Sequence, residues 1–277
     1  MYECLECNTT VSWLRGVFVA VAPDNPQSLV HSGAHSFRIE GSVQREEVQV
    51  TVMVRTAPAV PSAGVIDLHL YFTGAYDWSA DVAPQTQYFR DVMNRVEEVW
   101  EPMGLRIGEM TFTDLDPAYQ NVENAWGPGN DLDALLAQSG DQTPGALNVF
   151  FVDELYVGDS REPREADPII GISAAPGPPR VDGTISSGIV VSTWSTLSVP
   201  EAERWPNALA HTIAHEAGHY FGLRHTTEFD GVTHDRLDDT PEGDRGNLMH
   251  ADPDPERGTL SPWQARIILG NMLVAPP

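Results

Sequence analysis

The chain has no lysine. All 16 of its basic residues are arginines, set against 40 aspartates and glutamates, and the formal net charge is −24 over 277 residues. A surface so short of positive charge repels nucleic acid and anionic lipid, which argues against both as partners. Long apolar runs are missing as well. No stretch approaches the ~18 uninterrupted apolar residues of a membrane span, so no membrane insertion is expected. Cysteine is scarce: Cys4 and Cys7 form a single CxxC. A zinc ribbon needs a second pair and a thioredoxin-like redox site needs a βαβ context, and neither is there. What remains for the two is a local disulfide, idle thiols, or a thiolate that holds a metal site elsewhere in the chain latent. The first residues carry Glu3 and Glu6 and no early arginine, and Arg15 breaks the apolar run from Trp13 to Ala22, so they do not read as a signal peptide. The acidity suits a solvated, extracellular or salt-tolerant surface, and it supplies oxygens for calcium.

What is present falls into two parts. Residues 10–56 read as β: Val48, Val50, Val52 and Val54 alternate with Gln49, Thr51 and Met53, and strands are also expected at Val17 to Ala22 and Ser36 to Glu40. A Pro/Gly/Ala stretch at 57–64 then marks a linker. The expected division is a small β-rich module or pro-segment over 1–58 and a main domain over 59–277. After the linker the pattern turns mixed. It predicts strands at 65–72, 105–112, 147–152 and 189–192, and helices at 84–101 and 131–138. Long loops follow at 157–168 and 174–188. A histidine-bearing helix comes next, and a C-terminal helix is opened by a Ser261–Gln264 capping box with Pro262 at its first position.

That histidine-bearing stretch reads HTIAHEAGHYFGLRH from His211 to His225. His215 and His219 project from one helix face, about 6 Å apart along the axis. Two imidazoles so placed can share a metal ion, and Glu216 can reach water beside the ion rather than the ion itself. His211 lies on the same face but about 12 Å from His219 along the axis, whereas zinc–nitrogen bonds are about 2.0–2.1 Å. One ion cannot take both. Pairing His211 with His215 alone would put Thr212 where the base is needed. The other route ends the helix. Gly222 permits a left-handed residue, and His225, three residues on, then comes back within reach. The set is His215, His219 and His225 as metal ligands, with Glu216 as general base. A closed structural site would need a fourth ligand, for which His234, His250, Cys4 and Cys7 are the candidates.

HExxHxxGxxH fixes five positions in eleven, and it resembles the metzincin clan of zinc peptidases. Met249 in GNLMH, 24 residues after His225, stands where that clan carries a methionine turn beneath the metal. Within the clan the chain looks most similar to the pappalysin-like family, on DDTP (Asp238 to Pro241), NLM (Asn247 to Met249), LSPWQ (Leu260 to Gln264) and GISAAPGPP before the last strand. The likeness covers roughly residues 65–270. It implies an α/β (α+β) metzincin-like catalytic domain with a mixed twisted sheet, an active-site helix and a Met-turn, preceded by the small β-rich module. It implies catalytic zinc, and a secreted endopeptidase acting on protein or peptide substrates by metal-activated water. The substrate would lie extended along an edge strand near 185–192. The pocket for the residue after the scissile bond would be built from the loop between His225 and Met249 and the chain after it. It also implies structural calcium in the acidic loop, with Asp230, Asp235, Asp238 and Asp239 as candidate ligands. Two departures stand out. Ala251 occupies the place of a tyrosine found in many members, which leaves the oxyanion stabiliser beyond the metal unassigned, and the family's cysteines around DTP are missing. Two other readings compete. One is a catalytically inactive metzincin-like binding or adhesion module, against which the intact Glu216 argues. The other is a latent enzyme whose residues 1–58 block the cleft.

Overall fold

The computed structural model describes residues 9–11, 19–21, 60–123, 125, 130–140, 145–157, 167–173, 183–184, 187–193, 205–252 and 258–277. Near the N-terminus these include two short strands, β1 (Thr9–Val11) and β2 (Val19–Val21), paired antiparallel. β2 falls inside the strand expected at 17–22. The strands expected at 36–40 and 48–54 lie outside the described residues, as do Cys4 and Cys7.

The main sheet is mixed and mostly parallel. β3 (Gly64–Phe72) lies between β4 (Leu105–Asp114) and β6 (Leu147–Val152), and β10 (Ile189–Ser192) continues beyond β6; all four are parallel. β9 (Gly171–Ser173) adds to the far side of β10 antiparallel, and β11 (Val274–Ala275) pairs antiparallel with the first residues of β3. A smaller sheet joins β5 (Asn121–Val122), β7 (Glu154–Val157) and β8 (Asp167–Pro168). Parallel neighbours need crossover connections, and these carry α1 (Gln87–Trp100) between β3 and β4 and α2 (Asp131–Leu136) between β4 and β6. α3 (Trp205–Tyr220) follows β10, and α4 (Pro262–Gly270) closes the chain.

One expectation is overturned here. The strand at 189–192 is not an edge. It is buried between β6 and β9, and the edge is Gly171–Ser173, a segment the sequence pattern did not mark as a strand. Three residues flanked by Pro, Gly and Ala are too short a run for a period of two to show.

Two apolar layers hold the sheet. On one face Ile66, Leu68, Leu70, Phe72, Val149, Phe151 and Val191 meet Phe89, Val92 and Val96 of α1 and Leu209, Ile213 and Ala217 of α3. On the other, Tyr71, Phe150 and Val190 meet Leu132, Leu135 and Leu136 of α2. β6 is buried at all six positions because both faces are covered, which is why LNVFFV shows no alternation. α1 begins at Gln87 rather than Pro84. Pro84 sits in a separate 3-10 turn (Ala83–Gln85), and the Thr86 hydroxyl caps α1 by accepting from the Phe89 N–H at 3.3 Å.

The expected capping box of α4 is present and reaches further than a helix end. Gln264, fully buried, accepts through Oε1 from the Ser261 N–H (2.8 Å) and from Asn247 Nδ2 (2.9 Å). Asn247 Oδ1 in turn accepts from the Met249 N–H at 2.8 Å. The helix N-terminus is thus bonded to the turn that carries Met249. Asn247→Ala leaves the Met249 amide and the Gln264 carboxamide short of partners in a buried setting. It should cost roughly 2 kcal/mol or more in a denaturant unfolding experiment; a loss below about 0.5 kcal/mol would mean water replaces the network.

Candidate metal centre

α3 brings His215 and His219 one turn apart, and the place of the third ligand depends on how that helix ends. Gly222 takes φ 107, the Gly222 N–H donates to the His219 carbonyl (2.9 Å) and the Leu223 N–H to the Gly218 carbonyl (2.9 Å). This is a Schellman ending, which only a residue tolerant of positive φ can make without strain. It reverses the chain and delivers His225. His225 Nε2 lies 3.2 Å from His215 Nε2 and 3.0 Å from His219 Nε2. Among the described residues this is the one group of three potential metal ligands that converges.

The other nitrogen of each ring is held by an acceptor. His215 Nδ1–H donates to the Leu248 carbonyl (2.6 Å), His219 Nδ1–H to the Leu223 carbonyl (2.9 Å) and His225 Nδ1–H to Glu228 Oε2 (2.7 Å). With Nδ1 protonated, each neutral ring presents a bare lone pair at Nε2. Three lone pairs facing one point cannot hydrogen-bond to each other, and the arrangement calls for a cation. Two nitrogens bound tetrahedrally to one zinc ion stand about 3.3 Å apart, so the separations seen fit that ion to within a few tenths of an ångström. Burial also pushes His215 down to about 4 and holds His219 well below its ordinary value, which keeps both imidazoles neutral at neutral pH.

Glu216 is buried (7% exposed) beside the first ligand, and burial raises its carboxyl to about 8 when no cation is near. It lies under the sheet edge. A Cβ added at Gly171 of β9 would come within 2.8 Å of both Glu216 Cγ and Thr212 Cγ2, so the strand can approach this carboxylate so closely only as glycine. Met249 is fully buried beneath the helix, and a Cβ at Gly218, between the two helical ligands, would meet its sulfur at 2.5 Å. The turn around Met249 is tied to the chain after His225 by Thr226 N–H to Met249 O (2.8 Å) and Ala251 N–H to Thr227 O (3.1 Å). His211 stays outside the cluster, its ring buried against Gly258. His234 and His250 are not part of the group either. The His234 ring meets the Thr227 hydroxyl at 3.1 Å, and His250 Nδ1 accepts from the Asp252 N–H at 3.0 Å.

Among the described residues no three of the acids in the loop expected to bind calcium converge, although Asp235 and Asp239 lie close enough for their charges to interact. Asp230 accepts from the Val232 and Thr233 N–H groups and the Thr233 hydroxyl. Asp235 Oδ1 accepts from the Leu237 N–H and the Thr240 hydroxyl, and its buried Oδ2 has no hydrogen-bond partner among the described residues. Asp239 accepts from the Ser261 hydroxyl and the Trp263 N–H at the start of α4. Asp238 is exposed. The geometry lends calcium no support. A cavity of about 450 Å³ opens in the same segment, lined by Glu228, Phe229, His234, Glu242, His250 and Asp252 among others. Sequence reasoning named neither Gly171, Gly218 nor Glu228. The two glycines carry no signal until their neighbours are known, and Glu228 is one acid in an acidic stretch.

No protein-family model matches the chain, and no curated protein does. Among solved structures the chain is similar to archaemetzincin from Methanopyrus kandleri, at 17% identity and a TM-score of 0.44, over 76% of this chain and 96% of that one. A likeness this loose transfers no residue role. The class of protein is set by the chain's own geometry: a mixed α/β fold with a three-histidine centre at the end of an HExxH helix.

The buried Glu216 makes a pH-dependent prediction for the metal-stripped chain. Its carboxyl titrates near 4.5 when unfolded and near 8 when folded. Between those values the folded state binds the extra proton, so stability falls as pH rises through the window. Glu216→Gln removes that dependence. In chelator, the variant should exceed the wild type by a few kcal/mol near pH 8, at about 1.4 kcal/mol per pKa unit, with the gap closing toward about pH 5. Equal denaturation midpoints near pH 8 would refute it.

Proposed function

We propose that this chain is a zinc-dependent endopeptidase of the metzincin clan, most similar to the pappalysin-like enzymes, acting on protein or peptide substrates. The observation that carries the reading is the set of three Nε2 lone pairs aimed at one point, with a buried glutamate next to the first ligand. When bound, zinc supplies Lewis acidity and an acidified water at the face the three imidazoles leave open.

The chain's own residues supply the rest. Glu216 accepts a proton from the attacking water and delivers it to the leaving nitrogen, so that one water and one peptide bond become a carboxylate and an ammonium group once the second proton of the water has followed. Burial alone would keep Glu216 protonated near neutrality, and a neighbouring dication offsets that. The substrate backbone lies along β9, the antiparallel edge, as an added strand. The cavity between Glu228 and Asp252 takes a side chain beside the scissile bond. The acidic, lysine-free composition suits a secreted enzyme, and residues 1–58 form a separate module ahead of the domain at 59–277. Among the described residues no helix is long and apolar enough to cross a membrane.

The test is a peptide-library digestion by the zinc-loaded chain, repeated in chelator and with Glu216→Gln. Chelation should abolish cleavage. The variant should lose ~10²–10⁴-fold in kcat while binding zinc stoichiometrically. Undiminished cleavage by the variant would sink the mechanism, and a zinc-loaded wild type that cleaves nothing would favour an inactive binding module. Gly171→Ala should lower kcat by roughly 10- to 100-fold with zinc content intact, because the new methyl displaces the Glu216 carboxylate or the strand edge. Wild-type kcat in that variant would show that the edge yields without moving the base.

A further inference from the structure

The three imidazoles are not held in the same way. His215 and His219 sit on a helix, and each gives its Nδ1–H to a main-chain carbonyl fixed by a turn. His225 lies beyond the helix, on irregular chain beside the exposed Arg224, and its Nδ1–H goes to a side chain, Glu228 Oε2 at 2.7 Å. We propose that Glu228 is the positioning residue of the third ligand. Its carboxylate fixes the tautomer and ring orientation that aim His225 Nε2 at the metal, and the turn at 228–233 exists to hold that carboxylate in place. The inference rests on the three histidines forming a metal centre.

The turn is built for such a task. The Glu228 N–H donates to the Thr233 carbonyl and the Glu228 carbonyl accepts from the Gly231 N–H, both at 2.9 Å. Gly231 takes φ 69, and Thr227 bridges to His234 across the base. Inside the turn Asp230 accepts from the Val232 N–H, the Thr233 N–H and the Thr233 hydroxyl at 2.9, 2.8 and 2.6 Å. Its carboxylate therefore closes the turn that carries Glu228. Phe229 and Val232 stand at the tip, 82% and 76% exposed. Burial of their side chains does not shape the turn; its hydrogen bonds do. A partly exposed hydrogen bond of this kind contributes little to stability by itself. A carboxylate behind a metal-bound imidazole is different, because it sets which nitrogen carries the proton and makes the ring a stronger donor to the metal.

The experiment compares the full chain with Glu228→Ala, Glu228→Gln and Asp230→Ala. Zinc dissociation constants are read by chelator competition, and the imidazole N–H resonances of the zinc-loaded proteins by NMR. Glu228→Ala should bind zinc ~10- to 100-fold more weakly. Glu228→Gln keeps an acceptor oxygen. It should fall between the wild type and Glu228→Ala and should shift the Nδ1–H resonance of His225 while leaving those of His215 and His219 in place. Asp230→Ala should weaken zinc binding in the same direction by a smaller factor. The proposal is overturned if Glu228→Ala holds zinc within twofold of wild type, or if Glu228→Gln leaves the His225 resonance unmoved. The glutamine variant decides the matter even if the alanine variant loses its fold. A wild type that takes up no zinc overturns the metal reading and this inference together. Because affinity is read rather than turnover, a failure of peptidase activity is a separate result.

Discussion

Everything at this site hangs on the protonation of three Nδ1 atoms. An imidazole offers a lone pair at Nε2 only while its proton sits on the other nitrogen, and a proton stays there when an acceptor waits for it. The fold provides three acceptors by three local devices. The turn around Met249 presents the Leu248 carbonyl to His215. The glycine ending of α3 presents the Leu223 carbonyl to His219. The 228–233 turn presents a carboxylate to His225. Remove the devices and the same three histidines would be free to donate to one another or to water, and no cation site would be defined.

The same need explains where glycine occurs. A glycine in mid-helix costs about 1 kcal/mol relative to alanine, yet Gly218 sits between the two helical ligands. The gain is the close approach of Met249, which brings the Leu248 carbonyl under His215. Gly171 does the same from the other side. It lets an edge strand lie against Glu216. Gly222 serves a different end, supplying the positive φ that turns the chain back. Two of these three glycines answer to space and one to backbone conformation.

This division also sets how much could be read from the sequence. Helix pitch and one glycine are local properties, so they suffice to select His215, His219 and His225 and to leave His211 aside. The structure puts the three Nε2 atoms together and His211 against Gly258. The parallel strands and the α4 capping box were legible for the same reason: each is written in an apolar run or a short motif. The edge at 171–173 was not, because its identity is a pairing with 189–191 across an intervening stretch, and three residues carry no periodicity. Glu228 was not, because its role depends on a turn that brings residue 228 back onto 225.

The acidic loop shows what its carboxylates do within the fold. Calcium would be held by oxygens left without donors, gathered from several residues around one point. Here both oxygens of Asp230 and the Oδ1 of Asp235 accept from N–H and O–H groups of their own turns, and Asp239 accepts from the Ser261 hydroxyl and the Trp263 N–H at the start of α4, where negative charge is favoured by the helix dipole. The buried Oδ2 of Asp235 has no hydrogen-bond partner among the described residues. Asp230 and Asp239 are structural acceptors within the protein, whereas Asp235 keeps one buried oxygen without a donor. The Asp239 contact has a wider consequence. It joins the acidic loop to the helix whose Gln264 holds Asn247, and Asn247 holds the Met249 amide. A chain of side-chain hydrogen bonds thus runs from the surface loop through the C-terminal helix to the turn whose carbonyl orients the first ligand. The last helix is therefore a support of the three-histidine cluster, although none of its residues approaches the three histidines in sequence.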